Sequence, residues 1–205
     1  MQQIQIDVFA DVICPWCYIG QKRLIQALAL RPDIQPKFKW RTFLLNPSMQ
    51  PAGMDRQAYL NAKFGHAAAA VYGRIEEAGQ EVGIDFQFDK ITRTPNSRTA
   101  HQLIIAAEIE GYDVSEPFFK AYFLEGRDIS SPDVQEWIFE TSRCPLPSKE
   151  SLHHASERMK QDFEDSPALG IDGVPFMIFE KRLAISGAHP PEVLVGAIDA
   201  ARMPS

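Results

Sequence analysis

Cys14-Pro15-Trp16-Cys17 holds the residues of this chain best suited to do chemistry. Two thiols three positions apart lie between a short alternating apolar stretch (Ile4, Ile6, Val8) and a helical one (Leu24, Ile25, Leu28). That arrangement suits thiol–disulfide exchange. The thiolate is the attacking species, and the free N–H groups and positive dipole end of a helix N-terminus favour it. Cys14 falls where that field acts. Pro15 fits the first turn, because the N–H it lacks would be unpaired there in any case. Cys17, one turn further on, lies on the same side of the helix. It can attack a mixed disulfide held on Cys14 and release the partner. Cys14 is thus the candidate nucleophile and Cys17 the resolving thiol, with Pro15 and Trp16 offering a flat apolar contact to a partner. The competing use of such a pair is zinc, which wants four Cys or His ligands, usually in two pairs. The remaining Cys144 and the adjacent His153-His154 make at most an irregular set, so no metal is expected.

The elements that must position this pair can be read along the chain. Residues 3–10 alternate, with Ile4, Ile6 and Val8 on one face and Phe9 on the other, as in a central strand covered on both sides. A helix follows from Pro15 to about Leu30 and stops before Arg31-Pro32. Residues 36–45 form a second strand, parallel to the first by strand–helix–strand logic. From Gly53 to Pro167 the pattern turns helical. Helices are expected at Asp55–Phe64, Ala67–Val82, from a cap at Asn96 or Ser97 to Gly111, at Ser115–Glu125, and over 132–142 and 148–164, with Ile84–Ile91 an irregular connection. The stripe Phe118, Phe119, Tyr122 and Phe123 reads as core. Strand character returns at Val174–Phe179 and, as its hairpin partner, at Leu183–Ser186. Gly187 breaks the second strand, and Pro190-Pro191 opens a last helix carrying Val193, Leu194, Ala197 and Ile198. The fold class is therefore α/β. Residues 1–50 and 168–205 form a discontinuous redox module around an all-helical insertion at 51–167 that packs onto it.

Composition narrows the function classes. The 205 residues are 45% hydrophobic and 23% charged, ordinary for a globular chain long enough to bury its own core. A net charge of −6 argues against nucleic acid or an anionic membrane as the main partner. No apolar run approaches the ~18 residues of a membrane span. The N-terminus lacks the basic segment of a secretory signal, so the cytoplasm is the expected compartment, where disulfides tend to be transient and catalytic. Monomer and homodimer are both open.

Other residues carry two readings each. Asp11, three positions before Cys14, reads first as a turn or cap residue and second as a proton handler. Asn46 is a turn residue or a polar group at the C-terminal end of a strand, where open α/β sheets place ligands. Cys144, in a proline-rich turn, reads as a loop cysteine, with a third redox thiol as the alternative.

Asp11 to Gly20, Leu45-Asn46-Pro47, Ala121 to Ile129, Gly173-Val174-Pro175-Phe176 and Ser186 to Glu192 together resemble a DsbA-like thioredoxin-fold oxidoreductase. More narrowly they resemble the FrnE-type cytosolic subgroup. The resemblance spans nearly the whole chain. It implies a thioredoxin-like fold with a helical insertion, and protein disulfide oxidoreductase or isomerase activity with no bound cofactor. Its partners would be protein or small-molecule thiols and disulfides. Cys14 then matches the nucleophile, Cys17 the resolving cysteine and Pro175 the cis-proline, which would present the Val174 backbone to an extended substrate. The chain carries Pro-Trp where DsbA carries Pro-His, so the strongly oxidising character of DsbA is not carried over. The alternative is a glutathione-dependent transferase or isomerase of the kappa-class or 2-hydroxychromene-2-carboxylate isomerase type. Those relatives carry serine at the position of Cys14 and bind glutathione near the positions of Asn46 and Val174-Pro175. In this chain glutathione would be a redox partner or co-substrate.

Overall fold

Strand β1 (Gln2–Ala10) occupies an inner position in a four-stranded sheet, in a computed structural model that describes residues 2–203. On one side it pairs in parallel with β2 (Ile34–Thr42), and on the other antiparallel with β5 (Phe176–Phe179). The hairpin partner β6 (Leu183–Ser186) completes the order β2-β1-β5-β6. Helix α1 (Pro15–Ala29) connects β1 to β2, as the strand–helix–strand pattern requires. α8 (Pro191–Arg202) lies beside it, and their apolar residues Leu24, Ala27, Leu194 and Ile198 cover Ile4, Ile6, Met177 and Phe179 of the sheet.

The opposite face of β1 is covered differently from the expectation. Phe9 is buried there, but beside it Asp7 and Arg41 are buried too. The guanidinium of Arg41 lies 4.6 Å from the Phe9 ring and pairs with Asp7, Asp162 and Asp165. A buried guanidinium is tolerable when carboxylates surround it in this way.

Between β2 and β5 the chain is almost entirely helical. It contains α2 (Arg56–Phe64), α3 (Ala68–Gln80), α4 (Arg98–Ile109), α5 (Ser115–Phe123), α6 (Pro132–Thr141) and α7 (Lys149–Ala168). A two-residue ladder joins β3 (Met54–Asp55) to β4 (Arg93–Thr94). Asp55 caps α2 by accepting from the Ala58 N–H, and Ser148 caps α7 through Ser151. The aromatic stripe of α5 is fully buried, and Tyr18 of α1 stacks on Phe119 at 5.0 Å. One core therefore runs from the N-terminal turn of α1 into the helices.

The bounds of β2, β5 and α7 differ from the expected ones. β2 starts and ends earlier than residues 36–45, because it matches Gln2–Ala10 residue for residue and stops where β1 stops. Pro36, which has no N–H to donate, is accommodated because β2 is an edge strand. The outward N–H and C=O of Trp40 are taken by Glu108 of α4 and Arg158 of α7, which closes part of that edge. β5 starts at Phe176 rather than Val174, since Pro175 cannot donate to the ladder. α7 runs on to Ala168, past the expected end at 164.

Candidate active site

Cys14 is the N-cap residue of α1, with extended backbone angles, and Pro15 opens the helix. Its N–H donates to the Asp11 carbonyl at 2.9 Å, and its own carbonyl accepts from the Cys17 N–H at 3.0 Å. The Cys14 thiol donates to the Val174 carbonyl across 3.7 Å. The Val174–Pro175 peptide bond is cis. Pro175 itself is buried behind Val174 against α1, where Gly20 leaves room: a Cβ on Gly20 would lie 2.9 Å from Pro175 Cγ. Cys14, Pro15, Trp16 and Val174 share the wall of one cavity of about 240 Å³. The same lining includes Arg56, Tyr59 and Lys63 of α2 and Tyr72 of α3. Asn46 does not line this cavity directly, but its side chain reaches it through the Tyr59 hydroxyl at 3.5 Å.

Cys17 lies one turn deeper, 3% exposed, its thiol close to that of Cys14. It borders a second cavity of about 140 Å³ among Leu24, Trp40, Ile104 and Phe119. Burial in this apolar setting pushes the Cys17 thiol well up from its ordinary value, and the hydrogen bond and charge of Cys14 add to the rise. The Asp11 backbone works in the opposite direction. A thiol that holds its proton longer in the folded state than in the unfolded one loses that stabilisation as pH rises through its folded-state value. Reduced protein should therefore lose stability above the ordinary thiol value of 9.0. Urea unfolding at about pH 8 to 10 should show a slope steeper than in Cys17→Ala by up to about 1.4 kcal/mol per pH unit. Tyrosines titrate in both proteins and cancel. Equal slopes would contradict this account of Cys17.

Both readings of Asp11 understate its surroundings. It does form a turn, its carboxylate accepting from the Ile13 N–H at 3.3 Å. The same carboxylate also accepts from the Leu45 N–H at 2.8 Å and meets His101 Nε2 at 3.2 Å. The Trp40 indole N–H lies 3.0 Å from His101 Nδ1. An indole N–H can only donate, so Nδ1 accepts and the ring proton is on Nε2, facing Asp11. Asp11 and His101 are both 0% exposed. This chain ties β2, α4 and the turn before Cys14 into one polar cluster beneath the dithiol.

Cys144 is buried in the turn after α6, with its thiol toward the Pro145 carbonyl, and does not line the Cys14 cavity. Burial raises its thiol as well. No cluster of three or more His, Cys, Asp or Glu side chains able to hold a metal occurs among the described residues. No helix among them is long and apolar enough to cross a membrane.

Sequence reasoning missed Arg56, Tyr59, Lys63, Tyr72 and His101. A usable signal existed for three of them. Arg56, Tyr59 and Lys63 stand at i, i+3 and i+7, a single helix face. Nothing local marks His101, which sits on the face of α4 that also carries Ile104 and Ile105 inward.

Residues 5–199 match the family described as the DSBA-like thioredoxin domain. The chain belongs to this family. In the Streptomyces coelicolor structure of a probable DsbA oxidoreductase, the fold superposes with a TM-score of 0.82, covering 98% of this chain and 92% of that one at 22% identity. The cytosolic disulfide reductase DsbM of Pseudomonas aeruginosa, solved with GSH, superposes at 0.59, covering 97% and 95% at 16% identity. Among curated sequences, the uncharacterized protein YwbO of Bacillus subtilis (strain 168) is 23% identical over 133 residues, which span 64% of this chain and 62% of that relative. At these identities the solved structures establish the DsbA-like thioredoxin fold, and the four-stranded sheet with its helical block has that form.

Proposed function

We propose that this DsbA-like protein is a thiol–disulfide oxidoreductase in which Cys14 attacks and Cys17 resolves. The Cys14 thiolate attacks one sulfur of a partner disulfide. A Cys14–partner bond forms and the other half leaves as a thiolate. Cys17 then gives up its proton and attacks the Cys14 sulfur. A second thiolate leaves, and the protein has been oxidised by two electrons. The reverse sequence oxidises a partner dithiol. The single observation behind this reading is the unequal placement of the two thiols. Cys14 sits in a cavity wall at a helix N-terminus, while Cys17 is one turn below it with its thiol raised by burial. The Val174 carbonyl beside Cys14 suits an extended or cysteine-like partner. Protein and low-molecular-mass thiols are the partner classes and the cytosol the setting, in keeping with a cytosolic reductase among the proteins of the same fold.

Equilibration against a series of reduced and oxidised glutathione, read by the fluorescence of Trp16, should give one two-electron transition. Two unreactive thiols and no transition would discard the reading. A second reading makes glutathione the co-substrate of a small-molecule transferase or isomerase. Its support is the Asn46 amide, which reaches the cavity through the Tyr59 hydroxyl. Glutathione-dependent turnover that survives Cys17→Ser would favour it.

A further inference from the structure

The protein contains two buried arginines treated in opposite ways. Arg41 is 7% exposed and takes three carboxylates. Arg56 is 4% exposed and, among the described residues, takes only hydroxyls: Tyr72 at 2.6 Å, Thr94 at 3.3 Å and Tyr122 at 3.4 Å. The faces of Tyr59 and Tyr72 lie beside its guanidinium, with ring centres at 5.7 and 5.3 Å. Lys63, in the same wall, donates to the Tyr59 hydroxyl at 2.8 Å and has no carboxylate partner among the described residues. The cavity lining contains no Asp or Glu, in a chain whose net charge is −6. A buried charge without a counter-ion is expensive, and a guanidinium is shaped to take a carboxylate with two parallel hydrogen bonds. Tyr72, whose hydroxyl accepts from Arg56, lines the same cavity as Cys14.

We infer that the Cys14 cavity selects low-molecular-mass thiols and disulfides that carry a carboxylate, with Arg56 supplying the counter-charge and Lys63 assisting. This inference rests on the redox reading above and adds a substrate class to it. In the exchange step the thiolate of Cys14 displaces one half of the small disulfide as a free thiolate. The retained half stays bonded to Cys14 with its carboxylate toward Arg56. Attack by Cys17 then releases that half as the second thiolate.

The test uses reduced full-length protein and three aliphatic disulfides: dithiodipropionate (dianionic), hydroxyethyl disulfide (neutral) and cystamine (dicationic). Each rate is divided by that of mercaptoethanol with the same reagent, which removes differences in leaving group. The dianion should exceed the neutral reagent by about tenfold, equivalent to about 1.4 kcal/mol, and the dication should be slowest. Arg56→Gln should bring the dianion-to-neutral ratio close to one, and Lys63→Gln should lower it less. The ratio is the readout because Arg56 lines the same cavity as Cys14, so that its replacement can change the rate with every partner alike. A wild-type protein that reacts with all three reagents regardless of charge overturns this inference and leaves the redox reading standing. So does an Arg56→Gln protein with the ratio unchanged. A wild-type protein inert toward all three disulfides overturns the redox reading itself. If Arg56→Gln does not fold, the wild-type ranking and the Lys63→Gln ratio decide the matter.

Discussion

Cys14→Ser protein should show no disulfide exchange above the uncatalysed background, a fall of about a thousandfold or more. Cys17→Ser protein should behave differently. It retains the first attack, so mixed disulfides with partners should accumulate on Cys14 and be visible as added mass under non-reducing conditions. The asymmetry follows from position. Cys14 caps α1 in a cavity wall, whereas Cys17 is held below it among apolar side chains and meets only what Cys14 has already bound. Reduction of insulin disulfides measures the first variant, and mass spectrometry after exposure to a disulfide measures the second. A Cys14→Ser protein that keeps its rate would sink the mechanism. A Cys17→Ser protein that turns over without trapping would show that resolution uses another thiol, such as free glutathione.

His101→Ala should cost about 3–5 kcal/mol of folding stability by urea unfolding. The substitution leaves a cavity at a site that is 0% exposed and removes the acceptor of the Trp40 indole N–H. It also takes the imidazole away from the Asp11 carboxylate. Each loss strands a group that water cannot reach. His101→Gln, which can offer both an acceptor and a donor, should recover part of the loss. The Asp11 carboxylate also holds the N–H groups of Ile13 and Leu45. The Ala variant should therefore loosen the turn before Cys14 and slow exchange as well as lower stability. A loss below about 1 kcal/mol would mean that Asp11 and Trp40 find other partners.

Much of this was legible in the sequence because the signals are local. The cysteine pair, Pro15 at the start of α1 and the alternation of Ile4, Ile6 and Val8 depend on spacing alone. The helices of the insertion announced themselves by period and caps, with ends displaced by a few residues. Strand ends were less legible, because β2 stops where its partner stops and β5 starts only after a proline that cannot pair. The face of β1 opposite Ile4 and Ile6 was expected to be covered, but not by an arginine among three aspartates. Two of those aspartates come from α7, more than 120 positions from Arg41.

By itself the sequence determined the strand–helix–strand start, the dithiol at the helix entrance, the helical middle and the closing hairpin, since each is written in neighbouring residues. Tertiary structure alone decided what surrounds the dithiol. Folding brings Arg56 and Tyr72 to the cavity beside Cys14, and His101 to Asp11 from 90 positions away. Whether an arginine, a tyrosine or a histidine is a surface residue or part of a site depends on what lies across from it. That is fixed by long-range packing, on which spacing along the chain carries no information.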